Sequence, residues 1–151
     1  MGYKVWNVYG LGVNMSEIET TPERLIKLAE ESPDVLRDLR EYLTEKFGDN
    51  YRDEDLTIDD FDEYEGSTFL DSGVTHVLLE VMEDLFGEIF ECVDGYNYDL
   101  FILYTPKFPW GMTHSEKSLS EDDVIEMFTK CVGILTDSPP PVEYHDVECG
   151  G

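Results

Sequence analysis

Basic residues are the scarcest chemical class in this sequence. Ten Lys and Arg stand against 35 Asp and Glu in 151 residues, which gives a formal net charge of −25. Such a charge repels the phosphates of DNA and RNA and the anionic surface of a membrane, so we expect no direct binding to either. The partner that this charge favours is a basic protein surface.

Long apolar runs and paired cysteines are lacking as well. The sequence contains no apolar run of about 18 residues, the length that predicts a membrane-spanning helix, and it does not open with a basic and then apolar leader. Cys92, Cys131 and Cys149 are odd in number, widely spaced and outside any CxxC pattern. We interpret them as reduced thiols, two of them partly buried and the third in a mobile tail, in a cytoplasmic protein.

Motifs that carry catalysis are absent from the sequence. It contains no GxxxxGK[ST], no GxGxxG before a helix and no GxSxG, and its three histidines form neither HxxxH nor HExxH. The acidic runs YRDEDLTIDD and DDFDEYEG lack the Gly and Glu positions of an EF-hand loop. We therefore predict no enzyme, no catalytic residues, no cofactor and no dedicated metal site. A carboxylate-based or divalent-metal-dependent enzyme is the less favoured alternative, and it would need a cleft beside residues 105–118 with a carboxyl of raised pKa.

What the sequence does contain is apolar periodicity, with 41% hydrophobic and 13% aromatic residues, enough for the core of one domain over residues 1–151. Capping residues mark the helix starts: Thr21 and Ser32 each precede a proline, Asp71 or Ser72 precedes an apolar stripe, and Ser120 precedes three acids. The helices are predicted over residues 22–31, 33–48, 74–86 and from 121 to the prolines at 139–141, with a further short helix over 57–64.

Strands are predicted where aromatic and β-branched residues are concentrated, and at the end of the chain after the prolines, over residues 3–13, 88–93, 98–104 and 142–147. Asp94-Gly95 is a reversal signal that predicts a hairpin between the second and third strands. The element order is then β-α-α-(α)-α-β-β-α-β. This order predicts an α+β fold with about four mainly antiparallel strands and four to five helices, because no regular β-α-β alternation occurs.

The most polar segment spans residues 49–65, with nine acids and one Arg in 17 residues. Three interpretations compete for it. The acids solvate the surface of a salt-adapted protein, or they bind a basic tail as part of a scaffold or regulatory module, or they mimic nucleic acid in the basic groove of a host protein. Mimicry is the interpretation that we favour, because aromatic residues accompany the clustered acids.

The mimicry hypothesis names a set of partner-binding residues. Duplex DNA carries about one charge per 1.7 Å of its axis, and acids on the outer face of the 74–86 helix approach that density when the polar segment joins them. Interleaved aromatic side chains would stand in for bases or fill pockets of the partner. The predicted residues are Asp53, Glu54, Asp55, Asp59, Asp60, Phe61, Asp62, Glu63, Tyr64, Glu65, Glu80, Glu83 and Asp84.

Residues 105–124, TPKFPWGMTHSEKSLSEDDV, carry a resemblance to known proteins. An aromatic-Pro-Trp element, Phe108-Pro109-Trp110, is followed by Met112, by Glu116-Lys117 and by an acidic helix start at Ser120. This pattern resembles small proteins of bacterial viruses and prophages. The resemblance implies a viral or mobile-element inhibitor of a host defence protein, of the anti-CRISPR kind, acting in the host cytoplasm. It brings no catalytic residues with it.

Overall fold

The structure is a computed structural model that describes residues 5–64, 73–95, 99–105 and 119–150. Four strands form one antiparallel sheet in the order β2-β3-β1-β4. The strands are β1 (Val5–Asn14), β2 (Phe90–Asp94), β3 (Leu100–Tyr104) and β4 (Glu143–Gly150). The helices are α1 (Pro22–Ala29), α2 (Pro33–Phe47), α3 (Gly73–Phe86) and α4 (Glu121–Leu135). The predicted α+β class and element order are confirmed.

Side-chain caps fix three of the helix starts where they were predicted. The Thr21 hydroxyl accepts a hydrogen bond from the backbone of Arg24 at 3.3 Å, and α1 and α2 both begin at a proline. At the start of α4, the Ser120 hydroxyl accepts from the backbone N–H of Asp123 at 3.1 Å, and the Asp123 carboxylate accepts from the Ser120 N–H at 2.9 Å. Each cap satisfies N–H groups that have no partner inside the helix.

The helices lie on one side of the sheet in two layers. α3 packs on β2 and α4 packs on β1, while α1 contacts both of these helices. α2 packs against α1 and α3 and is therefore the helix farthest from the sheet. The main core lies between these layers, whereas a smaller apolar cluster covers the opposite side of the sheet. Because only one side of α2 is buried, its other side is free to present polar groups.

The predicted short helix in the polar segment is a 3-10 turn, Ile58–Phe61. The Asp60 carboxylate accepts a hydrogen bond from the Thr57 backbone N–H at 2.7 Å and so caps this turn. The turn is pressed against the start of α3, where a Cβ on Gly73 would overlap the carbonyl of Phe61. Gly73 therefore permits an approach that a larger residue would block.

Two sequence predictions about the strands need correction. β2 begins at Phe90 instead of residue 88, because Gly87 takes φ +101° and turns the chain after α3. β4 does not fray after residue 147, since Val5 pairs with Gly150 at the far end of the β1–β4 ladder. The predicted tail thiol, Cys149, is consequently only 5% exposed. The other two cysteines are half-buried or buried as predicted, and burial raises the pKa of both Cys92 and Cys131 to about 11.

Candidate acidic interface

The polar segment wraps around the second half of α2, and we call residues 51–64 the wrapping segment. On one side of the helix, the Arg40 guanidinium donates to the Tyr51 hydroxyl at 2.9 Å and to the Asp53 carboxylate at 2.6 Å. On the other side, the Tyr42 hydroxyl donates to the backbone carbonyl of Asp60 at 2.8 Å. Residues two apart on a helix point about 200° apart, so the segment crosses from one side of α2 to the other.

This path separates the predicted acids of the wrapping segment into two groups. Asp53, Glu54 and Asp55 lie in a 3-10 turn beside Arg40, near α1. The remaining acids, Asp59, Asp60, Asp62 and Glu63, lie in and after the turn beside Tyr42. The segment is therefore not one continuous acidic patch.

Several of these acids serve the fold. The bond from Arg40 lowers the pKa of Asp53 and raises that of the guanidinium, and Asp60 caps its turn. Asp62 is half-buried. Glu54, Asp55, Asp59 and Glu63 are exposed, as is the ion-paired Asp53. Glu65 lies outside the described residues.

The predicted aromatic anchors are core residues. Phe61 is 0% exposed and Tyr64 is 1% exposed. The Tyr64 ring packs edge-on against Tyr42, with 5.4 Å between the ring centroids. Their role as bases or pocket-filling anchors is corrected, because side chains without exposed surface cannot contact a partner in this conformation. The alternation of acidic and aromatic residues suggested anchors. It instead reflects a polar turn whose two aromatic side chains, Phe61 and Tyr64, point into the core.

A second acidic region lies between the first half of α2 and the second half of α3. Here the two helices form an open groove of about 280 Å³, which we call the acidic groove. Its lining consists of Val35 and six carboxylates, those of Asp34, Asp38, Glu80, Glu83, Asp84 and Glu88. The structure thus brings together the three predicted residues of α3 and adds partners to them from α2.

One carboxylate of the acidic groove is harder to ionise than usual, mainly because it is partly buried. Partial burial and the neighbouring Glu88 raise the pKa of Glu83 above its ordinary value. Arg37 is the cation beside the groove, and it bonds to Asp34 at 3.3 Å and to Asp38 at 3.5 Å. The folded protein therefore holds the ionised form of Glu83 at an energetic disadvantage.

One groove carboxylate also holds the two helices together. Ser32, the residue that caps α2, donates its hydroxyl proton to the Asp84 carboxylate of α3. Ser32 is buried whereas Asp84 is exposed, so this bond joins the interior of the protein to a carboxylate that lines the groove. It fixes the start of α2 relative to α3, and the carboxylates above it are consequently carried on a defined frame.

An acidic stripe on α2 escaped the sequence analysis. Asp34, Asp38, Glu41 and Glu45 follow one another at spacings of four, three and four residues, which places them on one face of the helix. Glu41 and Glu45 are exposed and continue the groove along α2. The spacing was visible in the sequence, but the low local density of acids there gave no reason to search for it.

Carboxylates also lie on other faces of the molecule. Exposed acids occur before α1, along α4 and on β4, for example Glu19, Glu126 and Glu143. Over the part of the chain that the structure describes, no three His, Cys, Asp or Glu side chains converge closely enough to hold a metal ion. Within the same ranges, no helix is long and apolar enough to cross a membrane. Residues 106–118, beside which the catalytic alternative requires its cleft, lie outside them.

The chain matches no protein-family model, no curated protein and no solved structure. The fold and the site define a class by themselves: an acidic α+β domain with a carboxylate-lined groove between α2 and α3.

Proposed function

We propose that this protein is a non-catalytic binding protein that mimics nucleic acid and occupies the basic groove of a nucleic-acid-binding partner. The observation that carries the proposal is the convergence of six carboxylates on one groove between α2 and α3, with the ionised form of Glu83 disfavoured there. A cationic partner surface supplies the positive charge that relieves this crowding.

Charge spacing supports mimicry over a general preference for cations. The α2 stripe from Asp34 to Glu45 extends over about 17 Å at 1.5 Å per residue. Four acids of α2 lie along this length, and three acids of α3, together with Glu88 after its end, face its first half across the groove. Duplex DNA presents about ten charges over the same distance. The eight carboxylates therefore approach the charge density that a phosphate-binding groove is built to meet.

A fixed frame also favours recognition. Apart from Glu88, both rows of acids stand on α-helices, and the bond between the buried Ser32 and the exposed Asp84 ties the helices together. Charges that are already ordered lose less conformational entropy on binding than charges on a mobile chain. Association with a basic partner should then be fast and strongly salt-dependent. Asp59 and Glu63, exposed on the Tyr42 side of α2, extend the same surface.

The nature of the partner rests on the resemblance in residues 105–124. It supports a protein of a bacterial virus or mobile element that inhibits a host defence protein, of the anti-CRISPR kind, in the host cytoplasm. A scaffold that binds a basic protein tail would use the same carboxylates and differs only in its partner. Competition with DNA for the partner separates these two possibilities.

Salt adaptation is the second candidate function, and a specific observation favours it. Exposed acids such as Glu19, Glu126 and Glu143 lie away from the groove, on faces that mimicry does not require. Acids spread over all sides keep a protein hydrated and dispersed. This alternative predicts that carboxylates on every face contribute equally to any binding of a cationic partner.

The test is a competition experiment with a defined probe. A purified RNA-guided CRISPR effector complex is mixed with fluorescent target duplex, and the protein is titrated in at about 50 and 200 mM salt. Mimicry predicts displacement of the duplex at micromolar or lower concentration, weakened at the higher salt. Poly-glutamate at equal carboxylate concentration is the matched control and should displace far less. Equal displacement by poly-glutamate would contradict recognition by a fixed surface.

If the duplex is not displaced from this complex, the same titration is run on other basic DNA-binding proteins of bacterial defence, such as a restriction endonuclease. Displacement of the duplex from one of these proteins would support mimicry of nucleic acid and would contradict inhibition of the anti-CRISPR kind. A complex that forms without displacing the duplex would favour the scaffold. Absence of binding throughout the panel would favour salt adaptation.

A further inference from the structure

The outer edge of β4 is a surface that the acidic groove does not explain. β4 lies at one end of the sheet order and contacts β2 over part of its length, but no strand within the described ranges forms a hydrogen-bonded ladder with its outer side. It is eight residues long, Glu143–Gly150. An edge strand of this length presents a row of backbone N–H and C=O groups to another chain. Pairing of an extended peptide with such an edge is a recurrent mode of recognition.

Exposed aromatic rings lie beside this edge. Tyr9 of β1 is 55% exposed and Tyr144 of β4 is 44% exposed, and their rings stack at 5.3 Å with only 8° between the planes. The strand register places both on the side of the sheet that carries the helices. Helix packing covers Leu11 on that side but leaves Tyr9 and Val5 open. The β1–β4 ribbon therefore extends past the helices with an aromatic platform uncovered.

Acids share this platform. Asp146 lies opposite Tyr9 in the ladder and Glu148 lies opposite Asn7, so both point to the same side of β4 as Tyr144. The Asp146 carboxylate accepts a hydrogen bond from the Asn7 side chain at 2.9 Å, and Glu148 is exposed. One side of β4 thus carries one aromatic residue followed by two acidic residues, at alternate positions of the strand. Cations are the side chains that both groups attract.

The opposite side of β4 has a different character. Val147 and Cys149 lie there and are buried in the smaller apolar cluster of the sheet. A strand added beside β4 would continue this alternation, with apolar or β-branched residues on one side and basic residues on the other.

We infer that the outer edge of β4 pairs with an extended basic segment of a protein partner, as a fifth strand of the sheet. Lys or Arg at alternate positions of that segment would contact Asp146 and Glu148, and a cationic side chain would lie over the Tyr9–Tyr144 platform. This inference goes beyond the proposed function, since it uses another face of the molecule and recognises an extended peptide instead of a groove built for phosphates.

A second copy of this chain is less suited than a basic peptide to pair with the outer edge of β4. Antiparallel pairing of two β4 strands centred on Val147 would set Asp146 of one copy opposite Glu148 of the other. Like charges directly opposite one another destabilise a strand pair. The net charge of −25 on each copy adds to this repulsion.

The experiment uses a synthetic probe. An acetylated and amidated peptide of eight residues, the length of β4, alternates Lys with Val or Thr. Its matched control carries N-methyl groups on consecutive amides, which removes the N–H donors from both edges of the peptide, so it keeps the charge but cannot pair as a strand. Binding is followed by amide chemical shifts and by hydrogen-exchange protection of the full-length protein. We expect shifts and new protection in β4, and binding of the N-methylated peptide weaker by about tenfold or more.

Two variants locate the contact. Tyr144→Ser removes one ring of the platform and should weaken binding by about tenfold, while Glu148→Lys, a change at an exposed position, should weaken it similarly without disturbing the core. Asp38→Lys in the acidic groove is the control and should leave peptide affinity nearly unchanged. This control also separates the inference from the proposed function, because failure of one surface leaves the other measurable.

Three results would overturn the inference. The first is equal binding of the N-methylated peptide, and the second is shifts confined to α2 and α3. The third is concentration-dependent protection of β4 without peptide, which would assign the edge to a second copy.

Discussion

The acidic groove and the wrapping segment are both rich in carboxylates, but the acids of the two regions have different structural roles. In the wrapping segment, Asp53 bonds to Arg40 and Asp60 caps a turn, while Phe61 is buried in the core. In the groove, six carboxylates face a common opening, and one of them, Glu83, is harder to ionise than usual. Groove acids also make local bonds, those of Asp34 and Asp38 to Arg37 and of Asp84 to Ser32, but all six carboxylates share one opening.

This difference shows that acid density along the sequence is a poor guide to a recognition surface. The acids of a dense run can form ion pairs and caps that hold an irregular segment in place. A moderate number of acids on two helices becomes concentrated when the helices pack side by side. Substitutions that affect stability in one region and binding in the other would sharpen the comparison.

The largest effect is expected from Phe61→Ala in the wrapping segment. Phe61 is fully buried, so truncation should lower the free energy of unfolding by about 3–5 kcal/mol through lost burial and the resulting cavity. Urea unfolding followed by circular dichroism measures the change. Asp59→Ala, an exposed neighbour in the same turn, is the control and should change stability by less than about 0.5 kcal/mol. A stable Phe61→Ala variant that binds its partner weakly would restore the anchor hypothesis.

A smaller effect is expected from Asp53→Asn. Its bond to Arg40 is partly exposed to solvent, so the loss at pH 7 should be about 0.5–1 kcal/mol. The folded pKa of Asp53 lies below its ordinary value of 3.8, so the stabilisation is present above that value and is lost as the pH falls through the folded pKa. The wild type and the variant should therefore differ at pH 7 and converge in acid. A difference that persists after Asp53 is protonated would show that the contact is not ionic.

Glu83→Gln should have the smallest effect and the opposite sign. The folded pKa of Glu83 is raised above its ordinary value of 4.5, so the ionised group opposes folding at pH 7. The variant should be more stable there by up to about 0.5 kcal/mol, and the gain should disappear as the pH falls through the raised pKa and below 4.5. Thermal unfolding at several pH values measures it. Destabilisation at pH 7 would contradict the crowding of the groove.

Local signals in the sequence predicted most of the fold. Thr21, Ser32 and Ser120 cap the helices that they were expected to cap, and Asp94-Gly95 begins the turn of an antiparallel hairpin. These outcomes depend on residues within a few positions of one another. The end of β4 was missed because its order comes from pairing with β1, across the whole length of the chain.

The candidate site was predicted only in part, for a related reason. Glu80, Glu83 and Asp84 were found because they follow the helical period of α3. Their partners Asp34 and Asp38 were missed because tertiary packing determines which helix faces α3, and local sequence patterns do not reveal it. Phe61 and Tyr64 were misassigned because the high charge of residues 53–65 masked two inward-facing positions in a short turn.

The most direct measurement compares three charge-matched variants in the duplex competition. Asp38, Glu41 and Glu45 are changed to Lys in the first, Asp55, Asp59 and Glu63 in the second, and Glu19, Glu126 and Glu143, which lie away from the groove, in the third. All three variants change the net charge equally. Mimicry through the acidic groove and the α2 stripe that continues it predicts that the first variant loses up to about hundredfold in affinity together with much of its salt dependence. The second should lose less and the third least. Equal losses in all three would contradict recognition by a fixed face and would assign the acidity to solvation.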